Sequence, residues 1–250
     1  MLGAGLVEYE TTHHGGPMNA VSLRRAAAVG ASLLALTACS VLSPGSEFLD
    51  QGPRGMAEAA FSDMREVTSM RVLGSQEGDV GFTRVDLKVD KSSCVGSLDA
   101  DGGGIQIIKN ADGAWFKGNA NFWLARGAPP QRADQLSGGW LVIEGKDKLL
   151  ELCDLEALLE SFELHEDDTD ETIEVGEVEE IGDADAVALT GQDGKERVTA
   201  WVAVTTPHRV LKMAPADDGG RPDELYFEEF GVDVVAESPA KRDIVTLPEN

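Results

Sequence analysis

The sequence predicts an α+β protein in which an antiparallel sheet carries helices on one face. Three observations lead there. Short runs alternate apolar and polar residues over much of the chain, clusters of Gly, Asn and Asp separate those runs, and apolar stripes at helical spacing occur in a few places. With 250 residues, 42% of them apolar, the chain can fill one large core or two small ones. No repeat period or clean composition break divides it, so one folded domain is expected. The balance of 45 Asp plus Glu against 21 Lys plus Arg gives a formal net charge of −24. Such a surface repels phosphate backbones and anionic headgroups, which excludes a nucleic-acid partner held by a basic patch.

The first forty residues carry an address. After Met18 come the basic pair Arg24 and Arg25, an uncharged stretch from Ala26 to Ala38, and Cys39. A basic pair, a short apolar run and small residues are the anatomy of an export signal. The stretch is too short for a bilayer core, which takes about 20 apolar residues in a helix, so residues 18–38 are expected to be cleaved as a signal peptide. The ending Leu36-Thr37-Ala38-Cys39 resembles the bacterial lipobox. That resemblance implies diacylglyceryl transfer to the Cys39 thiol, cleavage after Ala38, and a cell-membrane anchor on the extracytoplasmic face. Two acyl chains hold a protein stably where one does not. The alternative is a short buried helix that ends in Cys. Residues 1–17, with Glu8 and Glu10, read as an upstream extension, and residues 39–52, with Ser43, Pro44, Gly45 and Ser46, as a flexible tether. The domain itself is expected over residues 53–250.

Its elements follow in order. Ala57, Ala60, Phe61, Met64 and Val67 recur at spacings of three and four, so a helix is expected. The period then changes to two: Val80, Phe82, Val85, Leu87 and Val89 alternate with Arg84, Asp86, Lys88 and Asp90. Further strands are expected at Val72–Gln76, Cys94–Leu98, Ile105–Lys109, Ala114–Lys117 and Trp140–Ile143, with turns at Asp101-Gly102-Gly103-Gly104 and Asn110-Ala111-Asp112-Gly113. Asn119–Arg126 is expected as a short helix or turn. Asp147–Phe162 is expected as a helix, with the stripe Leu152, Leu155, Leu159 and Phe162. A second meander covers Ile173–Ile181, Ala186–Thr190, Glu196–Thr205, His208–Met213, Leu225–Phe230 and a last stretch at Val232–Ala236, with His208 at the surface.

With Cys39 assigned to the lipid, Cys94 and Cys153 remain as an even pair in an oxidising compartment, where a disulfide is the default and two unrelated buried thiols are the alternative. A bridge there would pin a helical layer to the sheet.

Several segments together resemble a family. They are Gly113-Ala114-Trp115-Phe116-Lys117-Gly118 leading to Phe122-Trp123, then Asp183 to Thr190, Val198 to Ala203, Pro207 to Leu211, and Leu225 to Gly231. In this order, behind a lipobox, they are similar to the actinobacterial lipoproteins of the LppX and LprG type, which share the LolA-like fold. The resemblance covers most of Gly55 to Leu247. It implies a curved antiparallel half-barrel with helices on its concave side, and a cavity between the two that holds a lipid or acyl chain. Phe82, Val85, Leu87, Trp115, Trp123, Trp140, Leu152, Leu155 and Trp201 are the candidates to line that cavity, and each fits a packed core equally well. The same fold also serves in envelope sensors, so an interaction module with an envelope protein partner and a filled core is the second reading.

No catalytic chemistry is expected. The sequence has no G-x-S-x-G, H-E-x-x-H or C-x-x-C motif, and Gly102-Gly103-Gly104 precedes a strand rather than a helix. Neither an enzyme activity, a cofactor nor a metal is anticipated. Between Glu151 and Asp185 there are 16 carboxylates and no Lys or Arg. Glu166, Asp167, Asp168, Asp170 and Glu171 could offer oxygens to Ca²⁺, but without EF-hand spacing a solvated acidic loop is the preferred reading.

Overall fold

Among the described residues, eleven strands form one antiparallel sheet in the order β6-β5-β4-β3-β2-β1-β11-β10-β9-β8-β7. The computed structural model describes residues 45–78, 81–100, 102–145, 148–160, 162–163, 169–193, 196–216 and 223–246. Cys39, the signal segment, His165 and Glu166–Asp168 lie outside the described residues. All described residues belong to one compact unit, Leu42–Asn250.

The first meander runs through β1 (Ser69–Gly78), β2 (Gly81–Asp90), β3 (Cys94–Ala100), β4 (Gly103–Asn110), β5 (Gly113–Gly118) and the short β6 (Leu141–Val142). The second runs through β7 (Glu174–Ile181), β8 (Ala184–Asp193), β9 (Glu196–Ala203), β10 (Val210–Pro215) and β11 (Glu224–Glu228). The two meanders are not separate sheets: β11 returns to pair with β1, with Val72 opposite Phe227. The sheet is curved and unclosed, and with its helices it makes the α+β half-barrel expected.

Strand alternation sorts the side chains. Val72, Leu87, Gly96, Ile107 and Phe116 lie opposite one another in successive strands and share one face. Arg71, Lys88, Val95, Ile108 and Trp115 share the other. The first face meets the helices: α1 (Ser46–Leu49), α2 (Gly52–Arg65), α3 (Ala120–Ala125), α4 (Pro130–Ser137), a 3-10 helix at Lys148–Cys153 and α5 (Leu155–Glu160). One core joins Phe48, Met56, Met64, Phe122, Ala133, Leu136, Leu155 and Leu159 of the helices to Val72, Leu87, Ile107, Val187 and Val202 of the sheet.

Several elements differ from expectation. The expected tether is already folded by Ser46, because Phe48 is 2% exposed and its ring stacks on His208 with centroids 3.9 Å apart. His208 is accordingly half-buried rather than at the surface, and its Nδ1 lies 3.0 Å from the Ala203 carbonyl oxygen. The buried stripe of α2 is Met56, Ala60 and Met64, so Ala57 and Phe61 sit at its margin. The expected helix at Asp147–Phe162 is broken at Asp154, whose carboxylate accepts a hydrogen bond from Ala157 N–H at 3.2 Å and so starts a new helix. Helix α4 is an addition, started by Pro130 and buried through Ala133 and Leu136.

The expected strand Val232–Ala236 is an extended segment without ladder pairing. Side chains hold it instead: Ser69 Oγ donates to the Val232 carbonyl at 2.6 Å and Asn110 Nδ2 to that of Ala236 at 2.7 Å. Beyond it, the Trp140 amide donates to the Asp243 carbonyl and the Val245 amide to that of Trp140, both at 2.8 Å, which lays the C-terminal segment beside β6.

Candidate functional site

On the helix-covered side, a cleft of about 350 Å³ opens between the C-terminal end of α2, the β2–β3 turn and α5. Phe61, Val67, Leu155 and Leu159 contribute apolar surface, and Arg65, Lys91, Glu156, Glu160 and Glu163 line it as well, so that more of its surface is polar than apolar. The local sequence explains both walls. Phe61 and Arg65 are four apart on α2, with the Arg65 guanidinium 5.6 Å from the Phe61 ring centroid, so the alkyl stem and ring form one surface. Leu155 and Leu159 are also four apart and lie on the inward stripe of α5, which leaves Glu156 and Glu160 toward solvent.

The α5 wall is fixed to the sheet. Cys94, the first residue of β3, and Cys153, which ends the 3-10 helix two residues before Leu155, are joined by a disulfide with Cα atoms 5.4 Å apart. The Lys109 ammonium donates to the Cys153 carbonyl at 2.9 Å, at the C-terminal end of the 3-10 helix, where carbonyls run out of ladder partners. The α2 wall is held at its other end, where the Asp170 carboxylate accepts from the Arg54 amide at 2.9 Å. A member of the acidic run therefore serves a helix N-terminus. Among the described residues, no group of three His, Cys, Asp or Glu side chains could hold a metal ion.

Of the nine positions named from the sequence, Leu155 lines this cleft. Val85 and Leu87 are buried in the core beneath the helices, at 2% and 0% exposure. Trp123 packs edge-on against Phe122, with ring centroids 5.0 Å apart, and among the described residues its indole N–H has no hydrogen-bond partner. Leu152 is half-buried against the same core. Trp140 anchors the C-terminal segment. The side chain of Phe82 lies outside the described residues. Trp115 and Trp201 are on the opposite face of the sheet, where Trp201 and Tyr226 flank the Lys212 ammonium at 4.8 and 5.2 Å from the ring centroids.

No protein-family model matches the chain, and no curated protein matches it. Among solved structures it is similar to LprF from Mycobacterium bovis. The likeness covers 79% of this chain and 99% of LprF, at 13% sequence identity and a TM-score of 0.48.

The cleft residues that sequence reasoning missed are Arg65 and Lys91, together with the lining role of Phe61, Val67 and Leu159. Phe61 and Leu159 read simply as core, because a helical stripe records that a face is apolar and not whether a neighbour fills it. Lys91 sits in a turn three residues before Cys94, so the bridge that holds α5 near the β2–β3 turn is the one sequence signal that could have found it.

Electrostatically the outer face is more organised than the cleft. Arg71 binds Asp86 through two hydrogen bonds of 2.8 and 2.9 Å and reaches Glu228 at 2.9 Å and Glu229 at 3.1 Å. Those contacts raise the Arg71 pKa, and the Arg71 hydrogen bonds hold the Asp86 carboxyl below its ordinary range against a smaller opposing effect of burial. The hydrogen bond from Lys88 lowers Glu229 in the same way. Burial alone would lower Lys212, but hydrogen bonds to Glu224 and Tyr226 outweigh it and leave its pKa raised.

Proposed function

We propose that this chain is a membrane-anchored extracytoplasmic lipoprotein that takes a hydrophobic ligand, an acyl chain or lipid, into the cleft between α2 and α5. The observation that carries the reading is the cleft itself. Its volume of about 350 Å³ falls in the range of small-molecule sites, and its lining sets the apolar Phe61, Val67, Leu155 and Leu159 beside charged groups that would meet a lipid's polar end. The lipobox sequence at Leu36–Cys39 supports the address: a protein with a net charge of −24 is repelled by anionic headgroups, so a covalent anchor at Cys39 would hold it there. No described helix is long and apolar enough to cross a membrane.

A second reading has its own observation. Val85, Leu87 and Trp123 are filled into the core rather than set around a cavity. This favours an interaction or sensory module of the envelope that binds a protein partner.

Two experiments separate these parts. Expression in a bacterium should place the protein in the membrane fraction, and Cys39→Ser should release it; a variant that stays membrane-bound would remove the anchor from the proposal. Organic extraction of the purified protein, with mass spectrometry, should recover a lipid, and Leu159→Glu should abolish it. Finding neither a co-purified lipid nor saturable binding of a fluorescent fatty acid would leave the interaction module.

A further inference from the structure

The two edges of the sheet are treated differently. At one edge, the two-residue β6 lies beside the C-terminal segment, through the paired Trp140 and Val245 bonds. At the other, β7 spans eight residues, pairs among the described residues only with β8, and is exposed from Glu174 to Glu180. A long strand with one free side presents a row of unpaired backbone donors and acceptors, a template for one more strand.

The side chains on β7 say what that strand would be. A register shift between Val175 and Val178 puts both valines on the helix-covered face, opposite Leu189 and Val187. There they continue the apolar row Val175, Leu189, Ala200, Met213, Leu225 that runs across the sheet. Each valine is 46% exposed, so the row ends open. On the other face stand Glu174, paired with Arg197 at 2.7 Å, and Glu179, which accepts from the Trp201 indole. Glu177, next to Val178, is on that face too, and among the described residues no cation pairs with it; Glu180, opposite Asp185, lies on the valine face. A second copy of this chain would set glutamates against glutamates along the edge, which opposes β7–β7 pairing.

We infer that β7 is a docking edge for an extended segment that alternates apolar and basic residues and adds as a twelfth strand. Its apolar side chains would cover Val175 and Val178 while its Lys or Arg residues met the glutamates. The inference is independent of the cleft.

The probe is a fluorescein-labelled decapeptide alternating Val and Lys, titrated into the purified chain by fluorescence anisotropy. Saturable binding is expected, at least tenfold weaker for a Glu177→Lys, Glu179→Lys double variant and absent for a Val–Glu peptide. Hydrogen exchange of amides within residues 174–181 should slow at least tenfold in the complex. A Val–Lys peptide with a central proline keeps the charge but cannot form the ladder, and it should not bind. Equal binding by that peptide, protection located elsewhere, or a dimer of the free chain paired through β7 would each overturn the proposal.

Discussion

Arg71 illustrates how much of the outer face depends on one side chain. It joins Asp86 on the neighbouring strand to Glu228 and Glu229 at the end of β11, with side-chain exposures of 28% for Arg71 and 50% for Asp86. Double hydrogen bonding gives the Asp86 pair better geometry than most surface ion pairs, though solvent still screens it. The Asp86 carboxyl is lowered when folded and returns to its ordinary value of 3.8 when unfolded. Its contribution is therefore fully present above 3.8 and is lost as pH falls through the lower folded value. Asp86→Asn should cost about 1 kcal/mol or less at neutral pH. The gap from the parent should narrow in acid, as measured by urea unfolding at neutral pH and below the carboxylate range. A gap that stays constant across that range would refute the assignment. The alternation of Val85, Leu87 and Val89 with Asp86 and Lys88 already showed which face of β2 is wet. The partners Glu228 and Glu229 were not legible, because they lie far along the chain and depend on how the strands are ordered.

At the scale of elements, the disulfide and the cleft are one problem. Helix α5 is only six residues long, too short to hold itself, and depends on Leu155 and Leu159 in the core and on Cys153 just before it. The leucine spacing predicted a continuous helix because a 3-10 turn and an α turn both return apolar residues to one side after three or four positions. Asp154 distinguishes them, and its capping role is legible only once a break is suspected. Helix α4 was missed for a related reason: Pro-Gln-Arg-Ala-Asp-Gln-Leu-Ser has two buried positions, too few for a periodic signal. Replacing Cys94 and Cys153 together by Ala releases a loop of 59 residues and should lower stability by about 4 kcal/mol in the chain-entropy model. Under conditions where the variant remains folded, α5 amides should exchange faster and fluorescent fatty-acid affinity should fall. Unchanged exchange in α5 would mean that core packing alone holds the wall. Non-reducing mass spectrometry of the parent should show the Cys94–Cys153 linkage.

The whole molecule turns on the seam between β1 and β11. Both meanders could be read from period-two patterning and their turns, including the Asn110–Gly113 corner. Which strands join them could not, because the joining pair is the first strand with the last. Gly74 sits in that seam at φ 139°, and a Cβ built there would lie 2.0 Å from the Glu224 carbonyl oxygen, a backbone atom that cannot turn aside. Gly74→Ala must therefore strain the residue or part the strands, at an expected cost of about 2–4 kcal/mol. Gly191 in β8 is the control: it has no atom within 4 Å of an added Cβ, and Gly191→Ala should change stability by about 0.5 kcal/mol or less. If the seam couples the two meanders, Gly74→Ala shifts a single cooperative transition, with Trp fluorescence and hydrogen exchange of β4 and β8 moving together. The apolar row that crosses from Leu225 through Gly74 to Val85, Leu98 and Ile105 is the physical reason to expect this, since parting the seam exposes it on both sides. Separate transitions for β4 and β8 in the variant would show instead that each meander carries its own core.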